Sequence, residues 1–97
     1  MKQLFYSCQG QQYNQAQEVP VPNNCNGLTF INRGSVVCFV NGIPLSPNPT
    51  AGLSGESISF GGNLDEIYAG RANISFAPGA NPLVIVVFKF YVNPEMA

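Results

Sequence analysis

The sequence predicts an all-β domain, a small antiparallel β-sandwich or jelly-roll-like barrel of about seven strands. Three observations carry this. Short runs rich in β-branched and aromatic residues recur with turn signals roughly every 8–12 residues. Several of these runs alternate apolar and polar residues, as a half-buried strand does. Ten Gly and eight Pro in 97 residues leave no stretch free for an amphipathic helix longer than a turn or two.

The elements follow in order. Residues 4–8 are a short apolar, aromatic run and a first strand. Residues 9–17 are rich in Gln and show neither helical nor strand period. Val19-Pro20-Val21-Pro22 favours an extended or sheet-edge path, because proline cannot donate to a ladder. Residues 1–26 therefore read as an N-terminal strand and a Gln/Asn/Pro-rich arm, and residues 27–97 as a compact sandwich. Leu28-Thr29-Phe30-Ile31 is a strand, closed by the turn Asn32-Arg33-Gly34. Residues 35–40 form the next strand, and Asn41-Gly42 follows at once. Asn-Gly between apolar runs signals a type I′ hairpin, which needs positive φ at both central residues. That turn sets Val40 opposite Ile43 and Cys38 opposite Leu45. Val36, Cys38, Val40, Ile43 and Leu45 then share a core face, and Pro44 makes the returning strand short or places it at an edge.

Residues 46–55 are a surface loop. In residues 56–60, Ile58 and Phe60 point inward. Gly61-Gly62-Asn63 turns the chain into a strand over residues 64–69, which holds Ile67 and Tyr68. Residues 72–77 alternate through Ile74 and Phe76. Residues 83–92 form the longest strand, with Val84, Val86, Phe88, Phe90 and Val92 on one face. Leu83, Ile85, Val87 and Tyr91 lie on the other, interrupted only by Lys89. An antiparallel strand with one wet face should alternate apolar with polar. This one does not, so both faces are expected to be covered, one by the domain's own second sheet and the other by the Gln-rich arm or by a second copy of the chain.

Composition narrows function by exclusion. Only 9% of residues are charged, with net charge −1, against about 25% charged in an ordinary domain. The four cations are scattered, so the basic footprint of a nucleic-acid binder is missing. No basic amphipathic helix or ~20-residue apolar span suggests a membrane role. The apolar start ends at Ser7, too short for a signal peptide, so synthesis in the cytoplasm without one is expected. Three cysteines, Cys8, Cys25 and Cys38, cannot all pair, and reduced thiols fit that compartment.

The chain has no His, which removes Ser-His-Asp and Cys-His nucleophiles and nearly all catalytic zinc sites. Glu56 with Asp65 and Glu66 could pair carboxylates, but a domain this small has no second lobe to build a cleft for glycoside chemistry. Asn63, Asp65 and Glu66 offer oxygen ligands without the spacing of a calcium loop. Asn73-Ile74-Ser75 matches a glycosylation sequon inside a strand. Tyr6, Tyr13, Tyr68 and Tyr91 could stack sugars, which makes a carbohydrate- or receptor-binding sandwich the alternative function. No enzyme activity, cofactor or metal is expected.

Phe30-Ile31-Asn32-Arg33-Gly34, then Val40-Asn41-Gly42-Ile43-Pro44-Leu45, form one part of a further pattern. Gly55-Glu56-Ser57-Ile58-Ser59-Phe60-Gly61-Gly62-Asn63 and Glu66-Ile67 complete it. Over residues 28–92 this cadence resembles small structural proteins of bacteriophage virions. The resemblance implies a compact β-sandwich or jelly roll in a vertex, spike or surface decoration. It implies a virion location, contacts with other virion proteins, and self-assembly into three or five copies. It brings no functional residue with it. The candidate contact residues come instead from the apolar outer face of the last strand and from the arm: Ile85, Val87, Tyr91, Val19 and Val21.

Overall fold

The computed structural model describes residues 5–50, 52–62 and 67–92. These hold no helix and eight strands: β1 (Phe5–Tyr13), β2 (Gln17–Val19), β3 (Gly27–Asn32), β4 (Cys38–Val40), β5 (Ile43–Leu45), β6 (Ser57–Gly61), β7 (Ala72–Phe76) and β8 (Val84–Val92). They form two four-stranded sheets, one ordered β1-β8-β3-β6 and the other β2-β7-β4-β5. All pairings are antiparallel. β1 pairs β8, β2 pairs β7, β3 pairs β6 and β4 pairs β5. Two further ladders, β3 with β8 and β4 with β7, complete the sheets. The first half of the chain thus lies against the second like the legs of one long hairpin whose bend is the β4–β5 turn.

That bend is the Asn-Gly pair. Asn41 and Gly42 have φ of 49° and 84°, the two positive values a type I′ turn needs. The register is the expected one, Val40 opposite Ile43 and Cys38 opposite Leu45. Cys38, Val40 and Leu45 are buried, but Ile43 is 41% exposed. It stands at the turn end of an edge strand, and Val36 at the other end is only half-buried, so the expected core face narrows to Cys38, Val40 and Leu45.

One apolar cluster joins the sheets. Leu28, Phe30, Val84, Val86 and Phe88 come from one sheet, and Val19, Cys38, Val40, Leu45, Ala72 and Ile74 from the other. Alternation aims them. Val84, Val86 and Phe88 face the second sheet, while Ile85, Val87, Lys89 and Tyr91 face away and are half-buried. Phe30 and Phe60 meet edge-on, ring centroids 6.0 Å apart, the arrangement aromatic quadrupoles favour. Cys25 and Cys38 are fully buried and Cys8 is exposed. Burial pushes the Cys38 thiol up to about 11, because a thiolate cannot be solvated there.

Three expected elements differ. The strand expected over residues 35–40 is only Cys38–Val40, because the Val36 carbonyl accepts the Asn32 side-chain amide and the Ser35 amide donates to the Asn81 carbonyl, which holds residues 34–36 in a bend. The Gln-rich segment is strand as far as Tyr13, all nine residues of β1 pairing with β8. Its hydrogen bonds come from β8, not from burial of its own side chains, so no apolar period marks it. Gln17–Val19 adds a short β2, which brings the strands to eight instead of about seven. The strand expected over residues 64–69 lies partly outside the described residues. Within it, Ile67, Tyr68 and Ala69 are irregular, and Ile67 is 60% exposed.

Two buried asparagines tie loops to the sheets. Asn32 donates from Nδ2 to the carbonyls of Val36 and Leu45, both at 2.9 Å, and its Oδ1 accepts the Gly34 amide. Asn26 accepts the Tyr91 amide on Oδ1, while its own amide donates to the Lys89 carbonyl. Gly34 is required as well: a Cβ there would lie 2.5 Å from Asn81 O and Leu83 N, so the turn cannot admit a side chain.

Candidate interaction surface

The register places the outward residues of the first sheet in rows. Ile85 lies opposite Ile31 on one side and Gln12 on the other, and Val87 lies between Thr29 and Gly10. Ile31, Ile85 and Val87 therefore make a short aliphatic stripe, each residue half-buried. Polar groups frame it: exposed Gln12 on β1, and the Thr29–Ser59 hydroxyl pair 2.9 Å apart across β3 and β6. At the far end, Lys89 Nζ sits 4.9 Å over the Tyr91 ring, and the Tyr91 hydroxyl donates to the Gly62 carbonyl at 3.0 Å. The arm does not lie over this face. It continues the same sheet edge-on as β1, so β1 flanks the stripe instead of capping it.

The structure brings together three of the five expected contact residues. Ile85, Val87 and Tyr91 share the outer face of β8. Val19 does not join them. It is 1% exposed and belongs to the core against Ala72 on β7, because β2 joins the second sheet. Val21 is half-buried and packs on the same core. Reading the segment as an arm that could pack on its own domain or on a neighbour left this placement open; the Gln17–Val19 ladder with β7 draws it into its own domain.

The four sheet edges differ in what they offer. β5 presents Pro44 outward, since Ile43 and Leu45 face β4; proline has no N–H, so this edge cannot extend a ladder. β2 presents only Glu18, which pairs with Arg71 at 3.6 Å. β6 ends in Gly61, whose φ of 67° turns the chain out of the strand. β1 is nine residues long and carries neither charge nor proline. Residues 7–12 are exposed, and among the described residues no strand pairs with its outer side.

The expected chemistry fares differently. Glu56 is exposed, and its carboxylate accepts the Ser46 amide at 2.7 Å. That backbone bond, with a second from the Ser46 side chain, holds its carboxyl below the ordinary 4.5. Asn63, Asp65 and Glu66 lie outside the described residues, so the carboxylate pair and the oxygen-ligand set have no geometry. Among the described residues no three His, Cys, Asp or Glu side chains cluster. Tyr68 donates to the Arg71 carbonyl at 2.9 Å and packs on the core, as does Tyr13. An open hollow of about 360 Å³ is lined by Asn14, Arg33, Gly52 and Asn81 among others. Arg33 there already donates to Gly52 O and Ser54 Oγ, so it braces the loop at residues 52–54. No helix among the described residues is long and apolar enough to cross a membrane.

No protein-family model matches the chain, no curated protein matches its sequence, and no solved structure matches it. The fold and surface are therefore what bears on function.

Proposed function

We propose that the chain is a structural subunit of a bacteriophage virion, acting through self-assembly and contacts with other virion proteins rather than through catalysis. The observation that carries this reading is the pairing scheme. β1–β8, β2–β7, β3–β6 and β4–β5 form a single antiparallel ribbon rolled into two facing four-stranded sheets. We read this eight-stranded roll as a jelly roll, an architecture common to viral capsid proteins, lectin domains and cupins. The composition favours the first of these. A cupin-type metal centre draws on His ligands, and the chain has no His. A lectin usually presents aromatic platforms; Tyr13 and Tyr68 pack on the core instead, and Trp is absent. A low-charge surface with an aliphatic stripe on one sheet suits contact with protein, since little charge must be desolvated.

Mass spectrometry of purified phage particles from cells carrying the gene is the test. The chain should appear among the virion proteins at a copy number that is a fixed fraction of the major capsid protein. Its absence from particles would overturn the reading. So would specific glycan binding by the isolated chain without particle incorporation, which would favour the sugar-binding alternative.

A further inference from the structure

We propose that the free edge of β1 docks β1 of a second copy of this chain, antiparallel, about a two-fold axis at Gln9. The two first sheets then become one continuous sheet of eight strands. The proposal rests on the self-assembly reading only for the identity of the partner; the geometry of the edge is independent of it.

The direction of the backbone groups is fixed by the ladders. In an antiparallel strand, the N–H and C=O of one residue point to the same side, and successive residues alternate. The Leu83 and Lys89 carbonyls accept from Arg33 and Asn26, on the β3 side. Odd-numbered residues of β8 therefore face β3, and even-numbered ones face β1. Their partners on β1 are Phe5, Ser7, Gln9, Gln11 and Tyr13. Tyr6, Cys8, Gly10 and Gln12 are left presenting N–H and C=O to the open side.

This set matches itself. Antiparallel pairing centred on Gln9 puts Cys8 opposite Gly10 of the second copy and Gln12 opposite its Tyr6. Every outward residue thereby meets an outward residue over the full nine-residue length. About eight inter-chain hydrogen bonds result, from four residues on each side. No like charges meet, because β1 has none. The other edges cannot do this. Pro44 blocks β5, β2 offers only Glu18, and β6 is cut short at Gly61. Natural sheets blunt long edges with charge, proline or bulges, and β1, the longest of the four edge strands, carries no charge and no proline and pairs in unbroken register. The pairing is isologous and closes on two copies. Assemblies built on it have even copy numbers, in place of the three or five that the resemblance implies.

The test combines light scattering during size exclusion at micromolar concentration with two variants. The wild-type chain should elute as a dimer. Gly10→Pro removes an outward N–H and leaves the β8 ladder intact, so it should be monomeric with an unchanged β spectrum. In a Cys8→Ser background, Gln9→Cys should oxidise quantitatively to a disulfide dimer, because a non-hydrogen-bonded pair at the axis brings the Cα atoms within disulfide reach, about 4.5 Å. This readout stands even if Gly10→Pro fails to fold. A wild-type monomer throughout, or a dimer that survives Gly10→Pro and does not cross-link at position 9, would overturn the proposal. A dimer lost instead on Val87→Lys would place the contact on the aliphatic stripe, which defeats the edge while leaving self-assembly in place. Absence from particles with an intact edge dimer would defeat only the virion reading.

Discussion

Asn32 shows how one polar residue can hold two sheets together. It is fully buried, and all of its side-chain donors and its acceptor are engaged by Val36, Leu45 and Gly34. The sequence marks it only as a turn residue beside Gly34, because Asn is common in turns whether exposed or buried. Asn32→Ala would leave the Val36 and Leu45 carbonyls without these donors in a dry site. We expect a loss of about 3 kcal/mol by chemical denaturation, the order that orphaned buried polar groups cost. A loss below about 1 kcal/mol would mean that water replaces the amide. Glu56 makes a second residue-scale prediction. Its carboxyl is held below 4.5 by hydrogen bonds that only the ionised form accepts fully. The stabilisation is therefore complete above the unfolded-state value and is lost as pH falls through the lower folded value. The stability gap between wild type and Glu56→Gln should be constant near neutrality and shrink on acidification below about 4.5. A gap that widens in acid would contradict this.

At the scale of elements, legibility tracks how local the determinants are. The β4–β5 hairpin and its register were readable because two adjacent residues, Asn41 and Gly42, set the turn and the alternation does the rest. β8, β7 and β6 were readable because each buries one face of its own. β1 beyond Cys8 was not. Residues 7–12 bury little, so Gln9 to Gln12 carry no hydrophobic period, and the strand exists because β8 supplies its partners. β2 was hidden by the prolines that follow it, which mark an edge but do not say of which sheet. The contact residues divided in the same way. Ile85, Val87 and Tyr91 follow from the period of their own strand, whereas the place of Val19 depends on a ladder to β7, far along the chain.

At the scale of the molecule, the all-β sandwich follows from alternation, but the sheet order does not, since no local signal says that the two ends of the chain pair. That pairing gives β1 a second role. β8 reads Val-Ile-Val-Val-Phe-Lys-Phe-Tyr-Val, and β1 satisfies the backbone groups along one whole side of it. Of residues 7–18, only Tyr13 packs on the core. Deleting residues 1–12 should therefore leave the sandwich folded while exposing the largely apolar edge of β8 from Ile85 to Val92. Long apolar edges recruit further strands, and an uncharged polar edge is far less prone to do so. The shortened chain should keep a β spectrum by circular dichroism at low concentration, yet scatter light increasingly as concentration rises and bind an amyloid dye. The full chain should stop at a discrete oligomer under the same conditions. A shortened chain that unfolds outright would show that β1 is needed for the core. One that stays monodisperse would show that the edge of β8 is protected by something other than β1.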